Sequence, residues 1–210
     1  MAGKYKLIFI DPPWHYAEPG YRKKGKAQNE GEANIKYDCM KFHELVGFRT
    51  KIDEFAARDC LMLMWATAPR MDWAYQLLPL WGFTYRTMGF LWIKTKQNPE
   101  QLVIPGMTWS YLANAFLATN VRKGMGFYTS QQAEYCLLAR RGKPGAAEIR
   151  LQDQIVFAPI REHSRKPDEV RKRIERIFPS LVPRIEVFAR QRFPGWMAYG
   201  NEQTKFNAIV

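Results

Sequence analysis

Tyr5-Lys6-Leu7-Ile8-Phe9-Ile10 is a short apolar run rich in β-branched and aromatic side chains, and it predicts a strand. It stops at Asp11-Pro12-Pro13-Trp14, where proline removes the backbone donors that a sheet ladder needs. Residues 15–36 are rich in Gly, Lys, Glu, Asn and Gln and show no periodicity, which predicts a long mobile loop of the kind that is functional or disordered. Across 42–58, Leu45, Val46, Ile52, Phe55 and Ala56 recur at roughly helical spacing and predict one or two short helices. Residues 60–66 are apolar without polar alternation, the pattern of a strand buried on both faces of a parallel sheet.

Thr67-Ala68-Pro69 opens a helix expected to run to about Trp81, where Gly82 stops it. Residues 83–94 are strand-like. Residues 111–117 suit a helix, and Gly124-Met125-Gly126 reads as loop, because no clear strand precedes that glycine pair. Residues 134–139 and 154–157 predict two more strands, with a turn at Arg141-Gly142-Lys143-Pro144-Gly145 between them. The clearest helix covers 167–178. Pro167 takes its first position, Asp168 and Glu169 fill the first turn, and Val170, Ile174 and Ile177 make the apolar stripe. Residues 184–189 predict a last clear strand, which residues 196–199 extend into the sheet. Strands alternating with helices predict an α/β fold with a mostly parallel sheet. Ligands in such sheets bind beyond the carboxyl ends of the strands. Asp11-Pro12-Pro13-Trp14 and Arg190-Gln191-Arg192 occupy two of those ends.

The chain has 210 residues, enough for a single domain at roughly 100–200 residues each. No apolar run approaches the roughly 20 residues of a membrane span, and residues 1–10 lack a signal sequence, so a soluble cytoplasmic protein is expected. The net charge of +12 favours a polyanionic partner, usually nucleic acid. Arg22, Lys23, Lys24 and Lys26 cluster in the first loop, and Arg161, Arg165, Lys166, Arg171, Lys172, Arg173 and Arg176 cluster near the last helix. Lys23, Lys24 and Arg165 are the candidate phosphate contacts. Arg171, Lys172, Arg173 and Arg176 fit the solvated face of an amphipathic helix at least as well. Cys39, Cys60 and Cys136 are odd in number and widely spaced, so no disulfide framework is expected. They do not combine with the histidines at metal-ligand spacing, and no metal site is expected.

The string at Asp11 suits transfer to an aromatic amine. The exocyclic nitrogen of adenine is a poor nucleophile because its lone pair is delocalised into the ring. A carboxylate can accept one N–H and a proline-fixed carbonyl the other, leaving the lone pair aimed outward. Asp11 and the Pro12 carbonyl provide those acceptors, with Pro13 stiffening the turn and Trp14 offering a face for base stacking, worth roughly 1–3 kcal/mol. A strand-ending turn beside a core tryptophan is the simpler alternative for such a string taken alone.

Asp-Pro-Pro-Trp is the catalytic motif of adenine-N6 methyltransferases that use S-adenosylmethionine. The chain resembles the family containing the messenger-RNA adenosine-N6 methyltransferase catalytic subunit and its bacterial and phage relatives. Tyr37-Asp38-Cys39-Met40 is similar to that family's Tyr-x-x-Met element, and Trp65-Ala66-Thr67 with residues 89–94 to its central segments. Ser164-Arg165-Lys166-Pro167-Asp168-Glu169 resembles its Ser-x-Lys-Pro-Asp-Glu signature. Residues 186–190, Gly195-Trp196 and Gly200-Asn201-Glu202 resemble its C-terminal cofactor run. These matches follow the family's order from Ile10 to Glu202.

The resemblance implies a Rossmann-like methyltransferase fold with permuted motif order, in which the first strand and strand 184–189 are neighbours. It implies S-adenosylmethionine as cofactor, leaving S-adenosylhomocysteine as product. Asp11, Pro12, Pro13 and Trp14 would hold the target adenine, and Tyr37 would pack on the nucleoside. Asp11, Lys166, Phe188 and Arg190 would border the cofactor, and Asn201 with Glu202 would reach its ribose. The Phe188-Ala189-Arg190 run lacks the Gly-x-Gly of many DNA methyltransferases, so this assignment comes from the resemblance rather than from local chemistry. The compact chain looks bacterial or phage-like, which favours DNA as substrate. RNA is the alternative within the class, and a non-catalytic nucleic-acid-binding subunit the alternative outside it. A homodimer is compatible with a chain of this size.

Overall fold

The computed structural model describes residues 4–16, 38–97, 115–117, 119–124, 128–149, 152–162 and 164–206. Its strands are β1 (Tyr5–Ile10), β2 (Ala56–Ala66), β3 (Thr84–Thr95), β4 (Ala133–Arg141), β5 (Ile155–Pro159), β6 (Arg184–Val187) and β7 (Trp196–Tyr199). Its helices are α1 (Phe42–Gly47), α2 (Arg49–Phe55), α3 (Met71–Leu80) and α4 (Asp168–Ile177), with a 3-10 turn at Ala68–Arg70. The strands form a seven-stranded sheet in the order β5-β3-β4-β2-β1-β6-β7. This is the α/β, mostly parallel sheet that the alternation implies, and it is consistent with the Rossmann-like methyltransferase fold that the resemblance implies. The tertiary contacts divide the chain into two compact units: Met1–Thr87 with Leu137–Gly145 and Leu181–Val210, and Met88–Cys136 with Ala146–Ser180.

In the first unit β1 pairs in parallel with β2, Ile8 beside Met62 and Ile10 beside Met64. On its other side it pairs in parallel with β6, Leu7 beside Arg184 and Ile10 beside Val187. The neighbourhood of first and late strands expected from the motif order is therefore present. β7 continues in parallel, Val187 beside Tyr199. Leu7, Ile8, Ile10, Met62, Leu63 and Met64 are fully buried. Each such side chain contributes roughly 1.5–3 kcal/mol, so the absence of polar alternation in β1 and β2 is what this position requires.

α1 starts with Glu44 accepting the Lys41 N–H at 2.6 Å, a capping interaction. α2 ends at Phe55, and β2 begins at Ala56, earlier than the apolar run at 60–66 suggests. Alanine fits both a helical stripe and a strand, and here it is buried in the sheet. Trp81 Nε1 donates to the Leu45 carbonyl at 2.9 Å, joining the end of α3 to α1. Gly82 follows with φ of +77°, and a Cβ there would meet Arg141 Nη2 at 3.0 Å. That nitrogen donates to the Trp81 carbonyl at 2.5 Å and pairs with Asp53 at 2.7 Å.

In the second unit β3 pairs in parallel with β5, Leu91 beside Ile155 and Thr95 beside Pro159. Val170 and Ile174 of α4 are fully buried. Pro167 occupies the N-cap rather than the first helical position, leaving Asp168 and Glu169 in the first turn. Arg171 is buried and lies 3.8 Å from Asp168, so it does not belong to a solvated face. Arg173 and Arg176 each pair with Glu169 at 2.9 Å. Of the four cations on this helix, Lys172 alone matches the exposed-face reading without a carboxylate partner among the described residues.

Among the described residues no helix is long and apolar enough to cross a membrane, and no group of three or more His, Cys, Asp or Glu is arranged to hold a metal ion. Most of the loop at 15–36, together with Tyr37, Lys23 and Lys24, lies outside the described residues. So do residues 111–114 and most of the Gly124-Met125-Gly126 stretch.

Candidate active site

Asp11 follows the last residue of β1 and is half-buried. Its backbone N–H reaches toward the carbonyl of Val187, the last residue of β6, at 3.5 Å. Parallel pairing thus places the acid beside the start of the Phe188-Ala189-Arg190 run. The chain then turns tightly, the Trp14 N–H donating to the Pro12 carbonyl at 2.9 Å. That bond uses one of the carbonyl's two lone pairs and leaves the other available. Met40 closes the turn: its N–H donates to the Pro13 carbonyl at 2.7 Å and its carbonyl accepts the His15 N–H at 3.1 Å. The far side of the first loop is thereby fastened to the motif. Trp14 is only 3% exposed, and its indole N–H is buried without a hydrogen-bond partner among the described residues.

Arg70, in the 3-10 turn after β2, holds the exit of the motif. Its Nε donates to the His15 carbonyl at 2.8 Å. Its guanidinium lies over the rings of Tyr16 and Trp73, 5.0 Å and 4.5 Å from their centroids. The Tyr16 hydroxyl in turn shares a 2.6 Å hydrogen bond with Thr67 Oγ1. Pattern reading finds only a helix start here, because nothing local shows that Arg70 reaches a carbonyl 55 residues away.

Beyond β6, Phe188 has φ of +58° and stacks its ring against Phe48 at 4.8 Å. Ala189 donates its N–H to the Tyr199 carbonyl at 2.9 Å. Gly200 permits this approach, since a Cβ there would lie 2.9 Å from the Ala189 nitrogen. Arg190 Nε pairs with Glu202 at 3.0 Å, and Lys205 bonds the other oxygen of the same carboxylate. Burial pushes the Cys39 thiol up to about 11, against the opposing field of Arg190. Arg190 therefore pairs with Glu202, and its charge acts on Cys39. Asn201 is exposed in the turn between Gly200 and Glu202.

The second unit holds the other predicted cations. Lys166 Nζ lies 3.1 Å from Glu134 Oε2, and Lys94 Nζ lies 2.6 Å from Oε1 of the same residue. Burial pushes the Glu134 carboxyl up, but the two ammoniums outweigh burial and hold it below its ordinary value. Arg165 pairs with Glu162 at 3.0 Å. Arg161 makes a fork to Asp168 at 2.7 Å and 3.0 Å, and also donates to the Lys166 carbonyl. The helix terminus beside Lys166 thus already carries carboxylates of its own. Glu134 escapes sequence reading; its only signal is a charge within the apolar strand β4, answered by Lys94 near the end of β3.

The first unit therefore gathers Asp11, Pro12, Pro13, Trp14, Phe188, Arg190, Asn201 and Glu202 around the adjoining ends of β1 and β6, and the second unit places Lys166 and Arg165 in its own ion-pair network. The MT-A70 family profile matches residues 5–202. The chain is 32% identical over 213 aligned residues to the type II methyltransferase M.MunI of Mycoplasma sp, covering 95% of this chain and 78% of that protein. It is 27% identical to a probable N(6)-adenosine-methyltransferase of Oryza sativa, across 96% of this chain and 23% of that protein. It is 24% identical to the N(6)-adenosine-methyltransferase catalytic subunit METTL3 of Homo sapiens, across 96% of this chain and 29% of that protein. With the Asp-Pro-Pro-Trp turn at a strand end beside β6, and a profile match spanning nearly the whole sequence, the chain belongs to the MT-A70 family of methyltransferases.

Proposed function

We propose that this protein transfers a methyl group from S-adenosylmethionine to the N6 amine of adenine in DNA. One observation carries the reading: Asp11 stands at the end of β1 in parallel register with the end of β6, beside the run that leads to Arg190 and Glu202. Those residues suit the cofactor by charge. Arg190 is a cation for a carboxylate, Asp11 an anion for a sulfonium, and Glu202 with Asn201 supplies acceptors for ribose hydroxyls. The resemblance adds Phe188 and Lys166 to the set; the Lys166 role rests on its motif and not on the ion pair with Glu134.

The cofactor supplies an electrophilic methyl on sulfur, and the chain's task is to present the amine. The Asp11 carboxylate accepts one N–H, and the free lone pair of the Pro12 carbonyl accepts the other. Both bonds turn the nitrogen lone pair outward, while Pro13 and the Met40 bonds keep the turn fixed. Alignment and electrostatics at the amine are the main aids, so Asp11 does not have to be a strong base. The base must leave the stack for N6 to be reached. Trp14 stacking belongs to the proposal, although its 3% exposure means a base reaches the ring only if the surroundings open. Tyr37, Lys23, Lys24 and Arg165 complete the proposed substrate contacts, in a cytoplasmic protein.

The higher identity to the type II methyltransferase than to the N(6)-adenosine-methyltransferases favours DNA. The names of the latter relatives keep RNA as the second reading. Labelled S-adenosylmethionine offered with duplex DNA, single-stranded DNA and RNA at low salt tests both. Label in N6-methyladenine of DNA is the expected outcome. Label in RNA alone moves the substrate, and cofactor binding without transfer to any polymer points to the non-catalytic reading.

A further inference from the structure

Within the second unit, the carboxyl end of β3 borders a pocket of about 740 Å³ lined by Thr95, Lys96, Thr119, Arg122, Lys123 and Arg161 among others, with no acidic side chain in the lining among the described residues. Two backbone bonds fix its wall: Arg122 N–H to the Lys94 carbonyl at 2.8 Å, and Lys96 N–H to the Asn120 carbonyl at 2.9 Å. Thr95 and Val121 form an antiparallel bridge between them. The floor continues to Ile160, whose N–H donates to the Thr95 carbonyl at 3.3 Å just past the end of β5. The pocket thus sits at the carboxyl ends of two parallel strands, where open α/β sheets take their ligands.

Its charges differ from the other basic clusters of the chain. Arg165, Arg171, Arg173 and Arg176 are each opposed by a carboxylate, and so is Arg161 at the pocket's edge. Arg122 and Lys123 are exposed and form no ion pair among the described residues. Cations gathered around a concavity with no acid among its described lining residues give it a positive potential that attracts anions. Among the described residues the lining offers Arg and Lys donors and threonine hydroxyls but no carboxylate to read a base edge. That donor set matches phosphodiester oxygens, which position a nucleic acid without reading its sequence.

We propose that this pocket holds the sugar–phosphate backbone of the nucleic-acid substrate, with Arg122 and Lys123 as its principal phosphate contacts. The proposal rests on the functional reading above for its choice of polymer. It is tested with a fluorescein-labelled duplex of about 20 base pairs, titrated against the full chain by anisotropy between about 50 and 200 mM salt. At roughly 0.9 per neutralised phosphate, the slope of log K against log salt should fall by about 1.8 in Arg122→Ala/Lys123→Ala. The duplex Kd near 100 mM salt should weaken about tenfold or more. The charge-conserving Arg122→Lys/Lys123→Arg variant should keep the wild-type slope, which separates charge from folding. An unchanged slope and Kd in the alanine variant overturn the proposal. Displacement of the duplex by millimolar adenosine 5′-monophosphate or inorganic phosphate also overturns it, in favour of a terminal phosphate. A lowered slope in a protein that methylates no polymer sinks the methyl-transfer reading and leaves this site standing; normal methylation with no change of slope sinks this site alone.

Discussion

Arg70 Nε donates to the carbonyl oxygen of His15 across 2.8 Å, one residue beyond the Asp11-Pro12-Pro13-Trp14 turn. The same guanidinium lies over the rings of Tyr16 and Trp73, which help to fix its plane. One hydrogen bond of roughly 0.5–1.5 kcal/mol and cation–π contacts of roughly 0.5–1 kcal/mol each are then available to hold the turn. Arg70→Ala should lower kcat/KM about tenfold, which corresponds to about 1.4 kcal/mol, while cofactor affinity stays within about twofold. Arg70→Lys should recover little, because lysine has no planar fork to bond and stack together. Steady-state kinetics beside calorimetric cofactor binding would decide it: an alanine variant with unchanged kcat/KM removes Arg70 from the positioning of the turn.

In the proposed mechanism Asp11 is the acceptor that its neighbours cannot replace. Asp11→Ala should reduce the single-turnover rate of methyl transfer by about 100- to 1000-fold or more, the loss that follows removal of one preorganised electrostatic group. Cofactor binding should stay within a few-fold, since Arg190 and Glu202 are untouched. Asp11→Asn keeps one acceptor oxygen and should fall between wild type and alanine. Rapid-quench transfer to an adenine-containing oligonucleotide reads this directly, and full activity of the alanine variant would take Asp11 out of the mechanism.

The legible parts of this fold are those where one short segment carries its own reason. β1 and the later part of β2 are apolar without alternation because each is flanked by strands and covered on both faces, and the prolines after Ile10 end the first of them. The neighbourhood of β1 and β6 followed from motif order. The boundary at Ala56 was not legible, because a small apolar residue satisfies both periods. Arg171 departs from the solvated-face expectation, because an arginine on an amphipathic helix looks solvated until its packing is known. Arg70, Glu134 and the cationic pocket depend on partners far along the chain, and a spacing rule has no access to those. Asp11 and Arg190 are candidates because each follows a strand end, where open α/β sheets take their ligands, and for Arg190 the cofactor role comes from the resemblance.

Trp14 separates fold from binding. At 3% exposure the indole is packed like a core side chain, so Trp14→Ala should destabilise the protein by about 3–5 kcal/mol. Trp14→Phe keeps an aromatic face and most of the buried area, so it should cost less and allow activity to be measured in a folded protein. Denaturant melts of both variants, set beside oligonucleotide affinity, give the comparison. Wild-type stability in Trp14→Ala with lost affinity would show the ring to be a substrate platform and not a packing element.

Glu134 makes the second unit sensitive to acid. Its carboxylate is shared by Lys94 and Lys166, with the glutamate side chain 10% exposed and the lysines 18% and 12%. Burial opposes the charged form, and the two ammoniums outweigh it, so the carboxyl titrates below its ordinary value of 4.5 in the folded protein. A carboxyl lowered in this way stabilises the fold fully above the unfolded value, and that stability is lost as pH falls through the folded value, because the unfolded chain binds the proton first. Glu134→Gln should destabilise the protein at pH 7 by about 3–5 kcal/mol, since two partly buried ammoniums lose their counter-charge. It should also flatten the fall in stability below about pH 4.5, a range in which Asp168, lowered by Arg161 against its own burial, still contributes to both proteins. Urea melts at several pH values between 3 and 7 test both effects together. Parallel pH profiles for the two proteins would show that the triad does not carry the acid response, even if the variant were less stable throughout.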